Sequence, residues 1–172
     1  MIDVVFAFLE NLFGSTYTGR CAMVFMLSML PAVGGPTMVI PIGAVLGLPT
    51  LPNMLSVVIG NFLPSPFIII FIRRIFGWMR KKSKRLGKLA DKFEEKAKSK
   101  GARFHHGMFV GLLLFVAIPL PLPGMGAWTG SLIAALFNIR LKIALPAIGI
   151  GVLISTIIAT VVTYGFISLA NI

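Results

Sequence analysis

Three long stretches of this chain contain no Asp, Glu, Lys or Arg: Cys21 to Ile72, Phe104 to Ile139 and Ile143 to Ile172. A soluble domain covers one apolar core with a charged surface. Here only 12% of residues are charged against 57% hydrophobic, too few for that cover. The bilayer is therefore the expected solvent for most of the surface, and the expected fold class is an all-α integral membrane protein.

The net charge of +11 is concentrated. Thirteen of the sixteen basic residues lie between Arg73 and Arg103; Arg140 and Lys142 mark a second, short basic site, and Arg20 stands alone. Basic loops stay in the cytoplasm, so 77–104 and 138–142 are expected there, in an inner membrane, with the C-terminus outside.

Two of the apolar runs are broken. A membrane helix needs about 20 apolar residues. Cys21–Leu48 is long enough, yet it holds Pro31-Ala-Val-Gly-Gly-Pro36 and then Pro41. The run from Gly107 to Phe137 holds Pro119-Leu-Pro-Leu-Pro-Gly-Met-Gly126. Proline removes a helix donor and clashes with the preceding turn, so such clusters open a helix. Non-helical backbone at bilayer depth survives only under cover of protein or a watery cavity. Each run is expected to form two half-length helices, a re-entrant hairpin; the alternative for the first run is a kinked span. Charge placement supports the hairpin for the second run, which begins and ends on the basic side. Residues 54–76 and 143–170 read as full spans, the latter with small residues (Gly149, Gly151, Ser155, Ala159) that suit close packing.

Hairpin plus span occurs twice, in opposite orientation. A gapless shift of 90 residues gives eleven identities over residues 21–70, among them Pro31 with Pro121 and Gly34 with Gly124. Composition alone supplies several of these, so the Pro-x-x-Gly pairing carries the comparison. The expected organisation is one membrane domain over 1–172: an interfacial helix within 1–19, a first repeat over 20–76, a basic amphipathic cytoplasmic helix over 77–104 and a second repeat over 105–172. Asp3 and Glu10 replace the basic start of a signal peptide, and Val4, Val5, Phe8, Leu9 and Leu12 recur at helical spacing, so residues 2–13 read as a helix lying in the interface. In the basic segment Met79, Leu86, Leu89, Phe93 and Ala97 fall on one face, and Glu94 pairs with Lys98; this suits an anionic leaflet. A nucleic-acid role is not expected for a segment tethered at both ends to membrane elements.

Cys21 is single, so no intrachain disulfide forms. His105 and His106 are adjacent and point apart on a helix, which suits a membrane surface better than a metal. No metal and no cofactor is expected. There is no Ser–His–Asp arrangement, carboxylate pair or nucleotide loop in the membrane runs, so an enzyme is not expected.

The stretch Phe115 to Ala134, Phe-Val-Ala-Ile-Pro-Leu-Pro-Leu-Pro-Gly-Met-Gly-Ala-Trp-Thr-Gly-Ser-Leu-Ile-Ala, resembles the second-hairpin motif of the small multi-drug export family, a branch of the DedA/VTT-type membrane superfamily. Gly60-Asn-Phe-Leu-Pro-Ser-Pro66 before a basic helix resembles it too. The resemblance runs from about residue 21 to 160. It implies paired re-entrant hairpins and transport; relatives in the superfamily are linked to moving lipids, including the polyprenyl-phosphate carrier of cell-wall synthesis. That family's first hairpin often carries an acidic residue and an arginine, and Val33-Gly-Gly-Pro-Thr-Met-Val-Ile-Pro41 has neither, which speaks against proton coupling there.

The leading expectation is a translocator of an anionic amphiphile, a polyprenyl phosphate (undecaprenyl phosphate among them) or a phospholipid, working by alternating access. Half-helix ends leave free N–H groups and partial positive charge, which suit a phosphate. The expected binding residues are Pro31, Gly34, Gly35, Pro36 and Pro41; Gly60 and Asn61; Pro119, Pro121, Pro123, Gly124 and Gly126; Trp128 and Thr129; and Arg140 and Lys142 at the cytoplasmic mouth, with Arg73 and Arg74 nearby. Plainer roles are open for each: Trp128 as an interfacial anchor, the prolines and glycines as folding devices, the cations as topology signals. Two other functions stay open, a small-molecule or drug exporter and a non-transporting scaffold or partner-dependent subunit. Drug–proton antiport is disfavoured because no Asp or Glu lies in any span. Membrane lipids are the expected partners, and so short a chain is compatible with a homodimer.

Overall fold

Thr16 leads into α1 (Tyr17–Met29), and Leu30, in extended conformation, ends it. The computed structural model describes residues 16–31, 35–82, 105–119, 126–137 and 139–169, all helical apart from short turns. The chain continues through α2 (Pro36–Val45), α3 (Thr50–Phe62), α4 (Pro64–Lys82), α5 (His105–Ala117), α6 (Ala127–Leu136) and α7 (Leu141–Leu169). The expected interfacial helix and most of the basic helix lie outside the described residues, as do Gly34, Pro121, Pro123 and Gly124.

Both predicted breaks are present. The first run divides into helices of 13 and 10 residues, and the second into helices of 13 and 10. At 1.5 Å per residue these are about 20 and 15 Å long, short of a hydrocarbon core of about 30 Å. Each return helix starts from a glycine whose backbone L side chains rarely adopt: Gly35 at φ 68°, ψ −162° and Gly126 at φ 106°, ψ −138°. Pro36 at the first position of α2 needs no N–H there. Both return helices end alike, with Leu48 N–H on the Gly43 carbonyl and Ile139 N–H on the Ala134 carbonyl.

Pro41 does not lie in a break. It sits inside α2, as Pro146 sits inside α7. The first span is longer than expected. Leu63 stays in helical conformation between α3 and α4, so an apolar helix runs over Thr50–Ile75 and continues to Lys82. The second span covers Leu141–Leu169. Basic residues from Arg80 to Lys82 therefore continue the span's own helix instead of starting a separate one.

Packing exchanges partners between the halves. The first helix of each hairpin lies on its own span, α1 on α3 and α5 on α7. The return helix lies on the other half's span, α2 on α7 and α6 on α4. The approach of hairpin to span is the same in both halves. A Cβ at Gly60 would fall 2.6 Å from the Phe25 carbonyl oxygen and 2.8 Å from Ser28 Cβ; one at Gly151 would fall 3.0 Å from the Leu113 carbonyl oxygen and 2.8 Å from Val116 Cβ. The stripe of small residues on α7 is thus used within the chain.

Two apolar cores result. One joins Met23, Val24 and Leu27 of α1 to Val39, Ile40 and Val57, and takes Ala159 from α7. The other joins Leu112 and Val116 of α5 to Ala134, Ile148 and Val152, and takes Ile69 from α4. Outside them the spans present a continuous apolar surface. Leu51, Leu55, Ile59, Phe67, Ile70 and Phe71 are exposed along α3 and α4, and Ile150, Leu153, Ile157, Val161 and Phe166 along α7. Patches of that extent need lipid or protein as cover, and with two helices long enough to cross, the chain is an integral membrane protein.

A candidate substrate site where the hairpin tips meet

The tip of the first hairpin is fixed by polar contacts at mid-height of the span. Ser28, one residue from the end of α1, donates to the Val57 carbonyl at 2.8 Å and accepts from Asn61 Nδ2 at 2.7 Å. Both side chains are buried. Residues 57–61 lie near the middle of the Thr50–Ile75 helix, so α1 stops about halfway along it. On the other side α5 stops against Gly151, again near the middle of its span.

The two tips touch. Trp128, in the first turn of α6, donates its indole N–H to the Met29 carbonyl at 3.1 Å. This fills an acceptor that the end of α1 leaves open. Trp128 therefore joins the start of α6 to the end of α1. Around it Ser131 donates to the Ala127 carbonyl, and Gly130 is close against Val116. Return helices α2 and α6 begin at Gly35 and Gly126. In α6 the first-turn N–H groups have no acceptor within the helix, and the helix dipole adds partial positive charge. Such an end can hold a phosphate or carboxylate.

Gly60 and Asn61 are turned toward α1, where they are buried by Phe25 and Ser28. Pro36 is buried, and Pro31, Pro41, Pro119 and Thr129 are less so. The structure thus brings Trp128 onto the end of α1, and sets Arg140 and Lys142 apart at one end of the molecule. There Arg73 donates to the Ile139 carbonyl just past the end of α6, a favourable place for a cation. Arg74, Arg140 and Lys142 are exposed beside it. No Asp or Glu is found among the described residues, so this cationic end has no acidic partner among them.

At the opposite end a polar cluster escaped the sequence reading. Tyr164 of α7 donates to the Leu48 carbonyl at 2.8 Å. Asn53 Nδ2 donates to the Ile40 carbonyl at 2.9 Å and to Tyr164 Oη at 3.2 Å. Arg20 donates to the Leu46 carbonyl at 2.8 Å, closing the open end of the first hairpin. That explains the lone basic residue away from the others: it caps the C-terminus of α2. Isolated polar residues in apolar runs were the available signal for Ser28, Asn53 and Tyr164.

An apolar groove of about 500 Å³ separates α3 from α7, lined by Val58, Phe62, Leu145, Gly149 and Leu153 among others. It opens sideways, toward lipid.

Short paired helices joined through Trp128 and Met29, beside two helices long and apolar enough to cross a bilayer, make a helical membrane protein. The particular family follows from comparison with known proteins. A family model described as "Putative small multi-drug export protein" matches residues 36–158, from the start of α2 through most of α7. The chain belongs to that family, and it is a membrane transporter of the DedA-like type rather than an enzyme. No curated protein and no solved structure gives a match.

Proposed function

We propose that the protein translocates an anionic lipid, a polyprenyl phosphate or a phospholipid, across the inner membrane by alternating access between two re-entrant hairpins. The observation that carries this reading is the meeting of two oppositely directed hairpin tips at mid-height, where both return helices begin. Several features support an inverted repeat. Helix lengths, glycine starts and ends of the return helices correspond between the halves, and partners are exchanged in the same way. The positive-inside rule assigns the Arg73 end to the cytoplasm and the Tyr164 end to the outside.

A lipid head group would be gathered by Arg140, Lys142 and Arg74 at the cytoplasmic end, then held at the tips by backbone N–H groups. Its chains would stay in the bilayer alongside, against the apolar groove between α3 and α7. Each basic residue near the surface contributes about 1 kcal/mol toward an anionic head group. Arg140→Ala combined with Lys142→Ala is therefore expected to slow flipping of a fluorescent anionic lipid in proteoliposomes by on the order of thirty-fold. Flipping that is unchanged removes the mouth from the mechanism. The family's description favours export of small molecules as the second reading. A drug gradient dissipated by the purified protein, with no lipid flipping, would establish it.

A further inference from the structure

The hydrogen bonds at the two ends of the molecule are the same contact made twice. In the second half α6, its end and α7 repeat α2, its end and α3–α4 at a spacing of 91 residues. Gly35 corresponds to Gly126, the Leu48-to-Gly43 bond to the Ile139-to-Ala134 bond, and Gly60 to Gly151. At that spacing Leu48 corresponds to Ile139, and Arg73 to Tyr164. Arg73 donates to the Ile139 carbonyl, and Tyr164 donates to the Leu48 carbonyl. Each bond runs from the far end of one half's span to the carbonyl just beyond the other half's return helix. Each therefore ties the two halves together, one at either end.

From this we propose that Arg73 and Tyr164 are paired latches that close the two ends of the transport path. The inference rests on the reading of alternating access. With both latches made and Trp128 joining the tips, the two halves are tied at both ends and between them. Opening one end breaks its own latch, while the other end is held by a separate bond. The two latches differ in chemistry. Tyr164 is neutral and is braced by Asn53, whose amide reaches its hydroxyl. Arg73 carries a charge and lies next to the exposed cations Arg74 and Arg140. A phosphate arriving at that end would compete with the Ile139 carbonyl for the guanidinium, because a charged acceptor binds it more strongly than a neutral one. An anionic head group would thus release the latch at the end where it enters.

The test measures distances at both ends. Cys21 is replaced by Ala, and spin labels are placed at Val45 and Phe166 for the Tyr164 end and at Ile75 and Leu136 for the Arg73 end. All four sites are exposed, and the two pairs correspond at the same spacing of 91. Tyr164→Phe is expected to raise the long-distance population of the Val45–Phe166 pair about three- to tenfold, the worth of one hydrogen bond, and to leave the other pair unchanged. Arg73→Met is expected to do the reverse. Arg73→Lys, which keeps the charge but not the planar fork, covers the case in which Arg73→Met does not fold. Variants that leave both distances unchanged, or lengthen both ends together, overturn the latches. Lipid flipping in the same proteoliposomes separates the two readings. Distances that move without any flipping retain the latches and reject the lipid substrate, and flipping with unmoved distances does the opposite.

Discussion

The two halves of the molecule solve one packing problem with different chemistry. In the first, helices are joined by buried side-chain hydrogen bonds: Ser28 to Val57 and Asn61, Asn53 to Ile40 and Tyr164. In the second, the positions corresponding to Asn53 and Asn61 are Ala144 and Val152, both buried in an apolar core. Three of its buried hydroxyls turn back on their own helices, Ser131 to Ala127, Thr156 to Val152 and Thr160 to Thr156. Lipid offers no hydrophobic drive between helices, so contact comes from close packing or from interhelical hydrogen bonds. The first half uses both, while the second sets Ala144 and Val152 into close packing where the first has Asn53 and Asn61.

The sharpest way to break this comparison is at the feature both halves share. Gly60→Ala and Gly151→Ala each drive a methyl group into the facing helix, where a backbone carbonyl blocks it. Each is expected to cost about 1–3 kcal/mol, read as a fall in thermal stability in detergent. Gly111→Ala, with open space around it, is the control and should not lower stability. Equal losses at Gly60 and Gly151 would support the equivalence of the two contacts, and a loss at only one would break it.

Smaller effects separate the halves. Asn53→Ala leaves the Ile40 carbonyl without that donor and removes the brace on Tyr164. A loss of about 1–2 kcal/mol is expected, although the second half already carries alanine at the matching position. Asn61→Val copies Val152 into the first half. It should cost about 0.6–1.7 kcal/mol, the range for one interhelical hydrogen bond in a membrane. A neutral result would mean that the polar contacts of the first half serve geometry more than stability. Trp128→Phe, which removes only the tip-to-tip bond, is expected to have the smallest effect on stability, under about 1 kcal/mol, and to change the distance between the hairpin tips instead.

Much of this was legible in the sequence, because proline and glycine act locally. The clusters at 31–36 and 119–126 break their helices where they stand. The charge-free runs gave the spans, and the boundaries erred where local signals were weak. The first span, read as 54–76 through Pro64 and Pro66, begins at Thr50 and its helix carries on to Lys82. The helices of the two halves match in length and spacing, but not at the shift of 90 residues. The connection from α5 to α6 is three residues longer than that from α1 to α2, so no gapless shift can fit both hairpin arms. First helices correspond at 88 residues and return helices at 91, with the shift of 90 matching neither. Arg20, Ser28, Asn53 and Tyr164 could be noticed as polar residues in apolar surroundings, but their partners lie 13 to 116 residues away and are fixed only by the fold.

The prolines at the joint of α3 and α4 have a mechanical consequence. Pro64 and Pro66 supply no N–H, so the helix lacks two of its rungs between residues 60 and 66. This is the level at which the hairpin tips meet. In α7 the proline lies near the start, at Pro146, and the rest of the rod, to Leu169, holds no other proline. One long helix is therefore a jointed strut and the other a stiff one. Bending should concentrate at the joint, so that the stiff rod serves as the frame and the jointed one as the lever that swings against it.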